Sequence, residues 1–416
     1  MKEYLLSFWN KFIKGTIKFK TFIILLIILY IGVIGVCLVK VEVDSTIPGG
    51  INNVSNLIDI ESEYEPGDIS TVSIYSENKM SYLQYLLVKL DSNSDISLGQ
   101  SISQSVYTEK EEYASNVGYK KQSIQDALIV AYTFAKNNGH DVYLDHSYKG
   151  EYLINIPQNL YKTGSDDFKN GDIIISFNNS NYSSTEDYIN SLHKVFDGVM
   201  FNEKTISSMY KNGELNFRND DSNNTLTLIS DIYSYLNTIN NEYSFTILRG
   251  ESELTITPSY KMLFFLYTNV IKKTTNGKKE MFSVTSNRFA YYNIDHTKSS
   301  PKINLSTANT VGPSGGLMQT LAVYNSITKD DITKGLRVMG TGGIDLNGNA
   351  TQIGGEQQKI VVANLYSANV FFVPNSNYKS AKEKYDSLSK PSFDLVSVEN
   401  FNDVIDYFNK LEVPNE

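Results

Sequence analysis

The most continuous feature of the hydrophobic pattern is an apolar run from Thr21 to Val39, 19 residues without a charge. That is about the length of a helix that crosses a bilayer core. The first twenty residues carry Lys2, Lys11, Lys14, Lys18 and Lys20 against Glu3, so the positive-inside bias predicts a cytoplasmic N-terminus and an extracytoplasmic remainder after Lys40. The run is longer than a usual signal-peptide core and no A-x-A site follows it, which makes it an uncleaved signal anchor rather than a removed leader.

Beyond the run, the period of the pattern changes from block to block. Residues 40–140 offer a β-branched strand, DISTVSIYS, and a helix in QSIQDALIVAYTFAKNNG with Asn138-Gly139 as its stop. Residues 141–260 read as strand-rich: GEYLINIP, then GDIIISF, a turn at Asn178-Asn179, a helix from Ser184 to Asp187 onward, and two strands around Arg249 to Ser252. A polar segment, Phe196 to Asn224, interrupts them, and either DYINSLHK or LISDIYSYLNTI could be the helix that lines the block. Residues 261–416 open on a helical KMLFFLYTNVIKK and then alternate: helix from Pro313 to Ile327, strand LRVMGTGGID, a turn at Asn347-Gly348, a return through ATQIGG, helix EQQKIVVANLYSA, strand NVFFVP, a helix from Tyr378 to Leu388, strand DLVSV and a last helix. The fold class is therefore α/β (α+β) at the C-terminal end, preceded by a β-rich block and one N-terminal apolar helix.

Composition narrows the chemistry. At 416 residues, 41% hydrophobic, the chain has material for two or three packed domains. Its single cysteine, Cys37, lies inside the apolar run after Val36, where a lipid-modified cysteine needs a small residue, so thiol catalysis and cysteine metal sites are excluded elsewhere. The four histidines, His140, His146, His193 and His296, show no metal-ligand spacing, though a Ser-His-Asp triad assembled in space stays open. No metal or cofactor is expected. With +4 on the first twenty residues and −9 on the whole chain, the remainder carries −13 and no basic stripe, which argues against nucleic acid. No G-x-x-x-x-G-K-[ST] occurs, so no Walker loop holds ATP, and GTGG at Gly340 to Gly343 is a weak phosphate candidate in a hairpin.

Two short stretches could carry catalysis. In VGPSGGLMQT, Ser314 lies between Gly-Pro and Gly-Gly, a composition that also serves a plain turn. If Pro313 opens a helix, the unpaired N–H groups there suit an oxyanion, and Gly315 and Gly316 leave room for a substrate backbone. In IGGEQQKIVVANLY, Val362, Ala363 and Tyr366 share a helical face with Lys359. A lysine so placed either loses its proton and becomes a general base or extends along its own stem to water.

The ordered set GPSGGLM, MGTGGID-LNGN-ATQIGG, GGEQQKIVVA and VFFVPNSN, with 45 residues from Ser314 to Lys359, resembles the proteolytic domain of Lon-type proteases. The resemblance implies Ser314 as nucleophile, Lys359 as general base and Thr341 as the threonine that orients the lysine. The 141–260 block resembles a PDZ domain, which would bind an extended peptide by strand addition. With the anchor, and with VDSTIPGG and DISTVSIYS, the whole arrangement is similar to membrane-anchored, PDZ-containing Lon-like proteases of Gram-positive bacteria. It implies an ATP-independent serine endopeptidase acting on extracytoplasmic peptides or exposed protein segments, the alternative being a non-catalytic peptide-binding scaffold. Two positions depart from the family: Glu356 replaces an aliphatic residue and should raise the pKa of Lys359, and Ser367 replaces a helix-ending glycine.

Overall fold

The computed structural model describes residues 2–61, 67–77, 79–97, 107–156, 167–196, 210–211, 214–215, 243–268, 272–275, 278–281, 287–306, 312–329 and 331–411. It divides into two compact units, 1–49 with 74–101, and 50–73 with 102–416. In the first unit, helix α1 (Lys2–Lys14) precedes α2 (Ile17–Leu38), whose N-terminus is capped by the Thr16 hydroxyl accepting from Phe19 N–H at 3.4 Å. No residue of α2 is buried within the protein. This one apolar N-terminal helix is long enough to be a membrane span, and a signal sequence has the same character. Strands β1 (Asp44–Asn53, of which 50–53 belong to the second unit) and β2 (Ile69–Glu77, of which 69–73 belong to the second unit) follow, and helix α3 (Tyr82–Leu90) starts from a reciprocal cap in which Gln84 N–H donates to Ser81 Oγ and Ser81 N–H to Gln84 Oε1.

The second unit begins its helical part with α4 (Glu109–Asn137), which stops at Asn138 and at Gly139 with φ +88°. The helix reaches back well beyond QSIQDAL because Thr108 and Glu111 form a capping box and Glu109, Glu111 and Glu112 suit the positive helix end. Strands β3 (His146–Leu153) and β4 (Ile173–Phe177), helix α5 (Thr185–Val195), strands β5 (Phe245–Arg249) and β6 (Ser252–Ile256), helix α6 (Tyr260–Thr268) and strand β7 (Arg288–Ile294) come next. The strands make an antiparallel sheet in the order β6–β5–β4–β3–β7. Tyr188, Leu192 and Val195 of α5 and Met262, Leu263 and Leu266 of α6 share one core with Leu153, Ile174, Phe245 and Ile247. Asn178 and Asn179 both take positive φ at the expected turn.

This packing cuts across the expected block limits. Helix α6 and residues 288–294 fall within the expected C-terminal block, yet α6 fills the core of the strand-rich sheet and β7 pairs with β3 over Arg288↔Leu153 to Ile294↔His146. The expected helix ends at Thr268, and Lys272–Thr275 is extended instead. Since β3 lies between β4 and β7, the outermost strands of the sheet among the described residues are β6 and β7. The alternative groove helix, LISDIYSYLNTI at 228–239, lies outside the described residues.

The remaining elements are helix α7 (Gly316–Thr328), strand β8 (Val338–Gly340), the short hairpin strands β9 (Gly343–Ile344) and β10 (Ala350–Thr351), helix α8 (Glu356–Leu365), strand β11 (Val370–Pro374), helix α9 (Asn375–Ser387), strand β12 (Asp394–Val398) and helix α10 (Phe401–Lys410). A second sheet runs β12–β11–β8–β2–β1, and its β12, β11, β8 and β2 are parallel. Every residue of β11, VFFVP, is buried, as both faces of a parallel sheet are covered. Val370 and Phe372 face the core shared with Leu317, Leu321 and Phe408, while Phe371 and Val373 face Ile360, Val362 and Ala381 on the other side.

Residues 40–140 were expected as a region apart. Instead β2 pairs with β8, and Val54, Ile58 and Ile69 join Ala127, Leu128 and Ala131 of α4 in the core around α7. The reason is visible in α7, which is buried along its whole length and so needs cover on every side. At the end of α8, Ser367 has φ +55°, the left-handed conformation that glycine takes at no steric cost. Ser367→Gly is expected to raise the stability of this unit by about 0.5–1 kcal/mol, read as a higher urea midpoint at unchanged slope.

Candidate active site

The sequence placed Pro313 in the first helical turn, but α7 starts at Gly316. Pro313 to Gly315 form a turn ahead of it, in which Gly316 N–H donates to Pro313 O at 3.2 Å. The turn is held in place by the strand end beside it. Gly342 N–H donates to Ser314 O at 2.8 Å and Leu317 N–H to Gly342 O at 3.0 Å, a reciprocal bridge across the Gly-rich segment. Ser314 is half-buried, with its side chain outside the helix proper.

Lys359 lies on α8, whose first turn is set by Gly355 at φ +69°. The lysine does not extend to water: it is 2% exposed. Its Nζ donates to Thr341 Oγ1 at 3.0 Å, and Thr341, fully buried at the end of β8, donates its hydroxyl proton to Ser314 O at 3.1 Å. Thr341 is fixed in turn by its N–H donating to Phe372 O at 2.9 Å. Burial pushes the Lys359 pKa down to about 8, and the Glu356 carboxylate works against it by favouring the charged form. Desolvation wins this contest, so the expected influence of Glu356 is present but secondary.

The direction of these bonds has a chemical consequence. The one hydroxyl proton of Thr341 is committed to the Ser314 carbonyl, so Thr341 can only accept from Lys359. A neutral amine that gives one N–H to Thr341 keeps its lone pair for another proton. The Ser314 hydroxyl itself makes no hydrogen bond to Lys359; the connection between them runs through Thr341.

At Gly315 and Gly316 other parts of the chain approach closely. A Cβ on Gly315 would lie 3.0 Å from Thr71 Cγ2, and one on Gly316 3.0 Å from Ile344 N and 3.1 Å from Ser123 Oγ. The glycines are needed for close packing of the turn against β2, β9 and α4. Thr71, Ser123 and Gln319 are thus neighbours of the turn that sequence reasoning missed. Ser123 had a signal, since it shares a helical face with Ala127, Val130 and Ala131, where a polar residue requires a partner. GTGG spans the end of β8 and the start of the hairpin.

The histidines take no part in this cluster. His146 and His193 belong to β3 and α5, His140 packs edge-on against Tyr324, and His296, with its pKa lowered by burial, follows β7. Among the described residues no three His, Cys, Asp or Glu side chains group as metal ligands.

Residues 270–410 match the Lon protease (S16) C-terminal proteolytic domain. The Lon-like segment contains Ser314, Thr341 and Lys359 together with the strands and helices that position them. The chain is also similar to the Lon protease of Aster yellows witches'-broom phytoplasma (strain AYWB), 32% identical over 93 residues, or 22% of this chain and 11% of the relative. Against the Lon protease of Campylobacter jejuni subsp. jejuni serotype O:2 (strain ATCC 700819 / NCTC 11168) it is 31% identical over 96 residues, 23% of this chain and 12% of the relative. The chain therefore spans about a tenth of the length of these Lon relatives.

The buried lysine of the Lon-like segment makes a stability prediction. With a folded pKa near 8 against 10.5 unfolded, the penalty of burying the ammonium is complete below pH 8 and fades as pH rises to 10.5. Lys359→Met should stabilise the protein by about 1–3 kcal/mol at pH 7, with the gain shrinking above pH 8. Paired urea unfolding curves at pH 7 and 10 measure this.

Proposed function

We propose that this chain is a Lon-type serine endopeptidase in which Ser314 attacks the scissile carbonyl and Lys359 is the general base. The observation that carries the reading is the buried Lys359 bonded to Thr341, whose hydroxyl holds the Ser314 carbonyl, inside the Lon-like segment. A serine hydroxyl needs a base to take its proton, and a lysine whose charged form is disfavoured by burial is competent near neutral pH. The proton then passes from Lys359 to the leaving amine. The N–H groups of Gly316 and Leu317 are already engaged, whereas those of Ser314 and Gly315 carry no hydrogen bond to the described residues and are the candidates to hold the oxyanion.

The rest of the reading rests on other features. Without a Walker loop in this sequence, hydrolysis would proceed without ATP on peptides, exposed tails or loosely folded proteins. Helix α2, with the lysines ahead of it, would be a single-pass anchor that leaves the site on the extracytoplasmic side. The PDZ-like sheet would present peptide, and by strand addition it would do so at β6, because β3 is flanked on both sides. The second reading, a non-catalytic peptide-binding scaffold, is favoured by the lack of a direct bond between Ser314 and Lys359.

The deciding experiment incubates the full chain, Ser314→Ala and Lys359→Ala with a mixed peptide pool and reads products by mass spectrometry. Both substitutions should abolish cutting, a loss of roughly 10⁴-fold or more; cutting that persists in both would refute the dyad, and binding without cutting by the parent would favour the scaffold. In the active parent the rate should rise with pH along a limb centred near the lysine pKa of about 8. A limb between pH 6 and 7 would instead point to a histidine.

A further inference from the structure

Within one turn, helix α4 contacts both the Ser314 turn and the antiparallel sheet. Ser123, 3% exposed, has its Oγ 3.2 Å from Pro313 O and 3.0 Å from Gln319 Oε1, two acceptors that share its one hydroxyl proton. Pro313 is the residue before Ser314, so this hydroxyl supports the carbonyl side of the turn while Gly342 supports the other. Gln319 lies on the first turn of α7, and its amide also flanks the Cβ position of Gly315.

Two residues further along α4, Gln125 is 5% exposed and grips the outer edge of the antiparallel sheet. Its Nε2 donates to Ala290 O at 3.0 Å, and its Oε1 accepts from Tyr292 N–H at 2.8 Å. The pair of bonds replaces the partner strand that β7 lacks on this side. They fall at the irregularity in the β3–β7 register between Tyr291 and Tyr292. Earlier turns of α4 tie to the other end of β3: Asn155 N–H donates to Ser115 Oγ at 2.9 Å, and Asn155 Nδ2 to Tyr119 OH at 2.6 Å.

We propose that Ser123 is a positioning residue for the Ser314 turn and that Gln125 couples this turn to strand β7, so that α4 makes the antiparallel sheet a control element of the catalytic site. The inference rests on the serine-peptidase reading for its consequence in catalysis, but not for its physical content. One helix turn cannot shift at Gln125 without moving Ser123, because its backbone hydrogen bonds make it rigid. Whatever loads or loosens β7 is therefore felt at the carbonyl of Pro313.

The test uses the full chain and two readouts. Hydrogen exchange is followed over 288–294 and 312–318 in the parent, Ser123→Ala, Ser123→Thr and Gln125→Ala. Ser123→Ala should speed exchange over 312–318 at least tenfold and leave 288–294 unchanged, and Ser123→Thr, which keeps the hydroxyl, should restore most of the protection. Gln125→Ala should speed exchange in both segments. No change over 312–318 in Ser123→Ala would overturn the positioning role; a change confined to 288–294 in Gln125→Ala would overturn the coupling; a uniform rise through α4 and α7 would show a general stability role and overturn both.

The second readout is turnover per titrated Ser314, with a serine-directed reagent counting intact sites. Ser123→Ala should lower kcat per site about tenfold or more, with KM and the pH limb unchanged. A smaller count of sites at full kcat would again mean stability alone. Cutting that survives Ser314→Ala would sink the dyad reading while the exchange result still judges the coupling.

Discussion

The C-terminal half of the protein is organised around the removal of one ammonium group from water. Lys359 is among the largest fully buried side chains, and burying its charge costs several kcal/mol unless the proton is lost or a partner found. Thr341 supplies an acceptor but no charge, so the compensation is partial and the pKa falls to about 8. The geometry that enforces this follows from the sheet. Parallel β8 and β11 position Thr341, α8 delivers the lysine from one face of the sheet, and α7, a helix buried at every residue, packs on the other.

Residues 270–410 share their core with earlier parts of the chain. The face of α7 turned to α4 is covered by Ala127, Leu128 and Ala131, and the sheet beyond β8 continues through β2 and β1, so the strands and helix N-terminal to the antiparallel sheet complete the core around α7. The antiparallel sheet is then an insertion, in chain order, between α4 and α7. The polar contacts of α4 at both β7 and Pro313 follow from that order, since α4 must pack against the inserted sheet and against α7 at once.

The local chemistry is legible in the sequence and the long-range assembly is not. The succession of α7 to α10 was legible because period-2 and period-3.6 patterns alternate there with clear stops, and Lys359 stood on an apolar face. The start of α7 was misplaced because Pro313 fits both a first helical turn and a turn ahead of a helix. The close approach of Thr71 to Gly315 and of Ile344 to Gly316 is not legible in the sequence, because a missing Cβ says that something approaches closely, not whether it is substrate or protein. Helix α6 and residues 288–294 were assigned to the wrong neighbour because pairing partners 135 or more residues apart, such as Arg288 and Leu153, leave no local mark.

The lack of a direct bond between Ser314 and Lys359 is best understood by asking which of the two can move. Lys359 is pinned by Thr341, which cannot turn toward the lysine as a donor while it holds the Ser314 carbonyl, and moving the buried stem would open a cavity in a core that includes Ile360 and Val362. Ser314 is half-buried, lies outside the helix and has its backbone fixed by Gly342, so a single χ1 rotation is the one inexpensive adjustment available. In the dyad reading the base is therefore the fixed element and the nucleophile the adjustable one. The tight packing of Thr71, Ser123 and Gln319 around the turn follows from the same division, because a rotating hydroxyl is productive only if the backbone that carries it stays still.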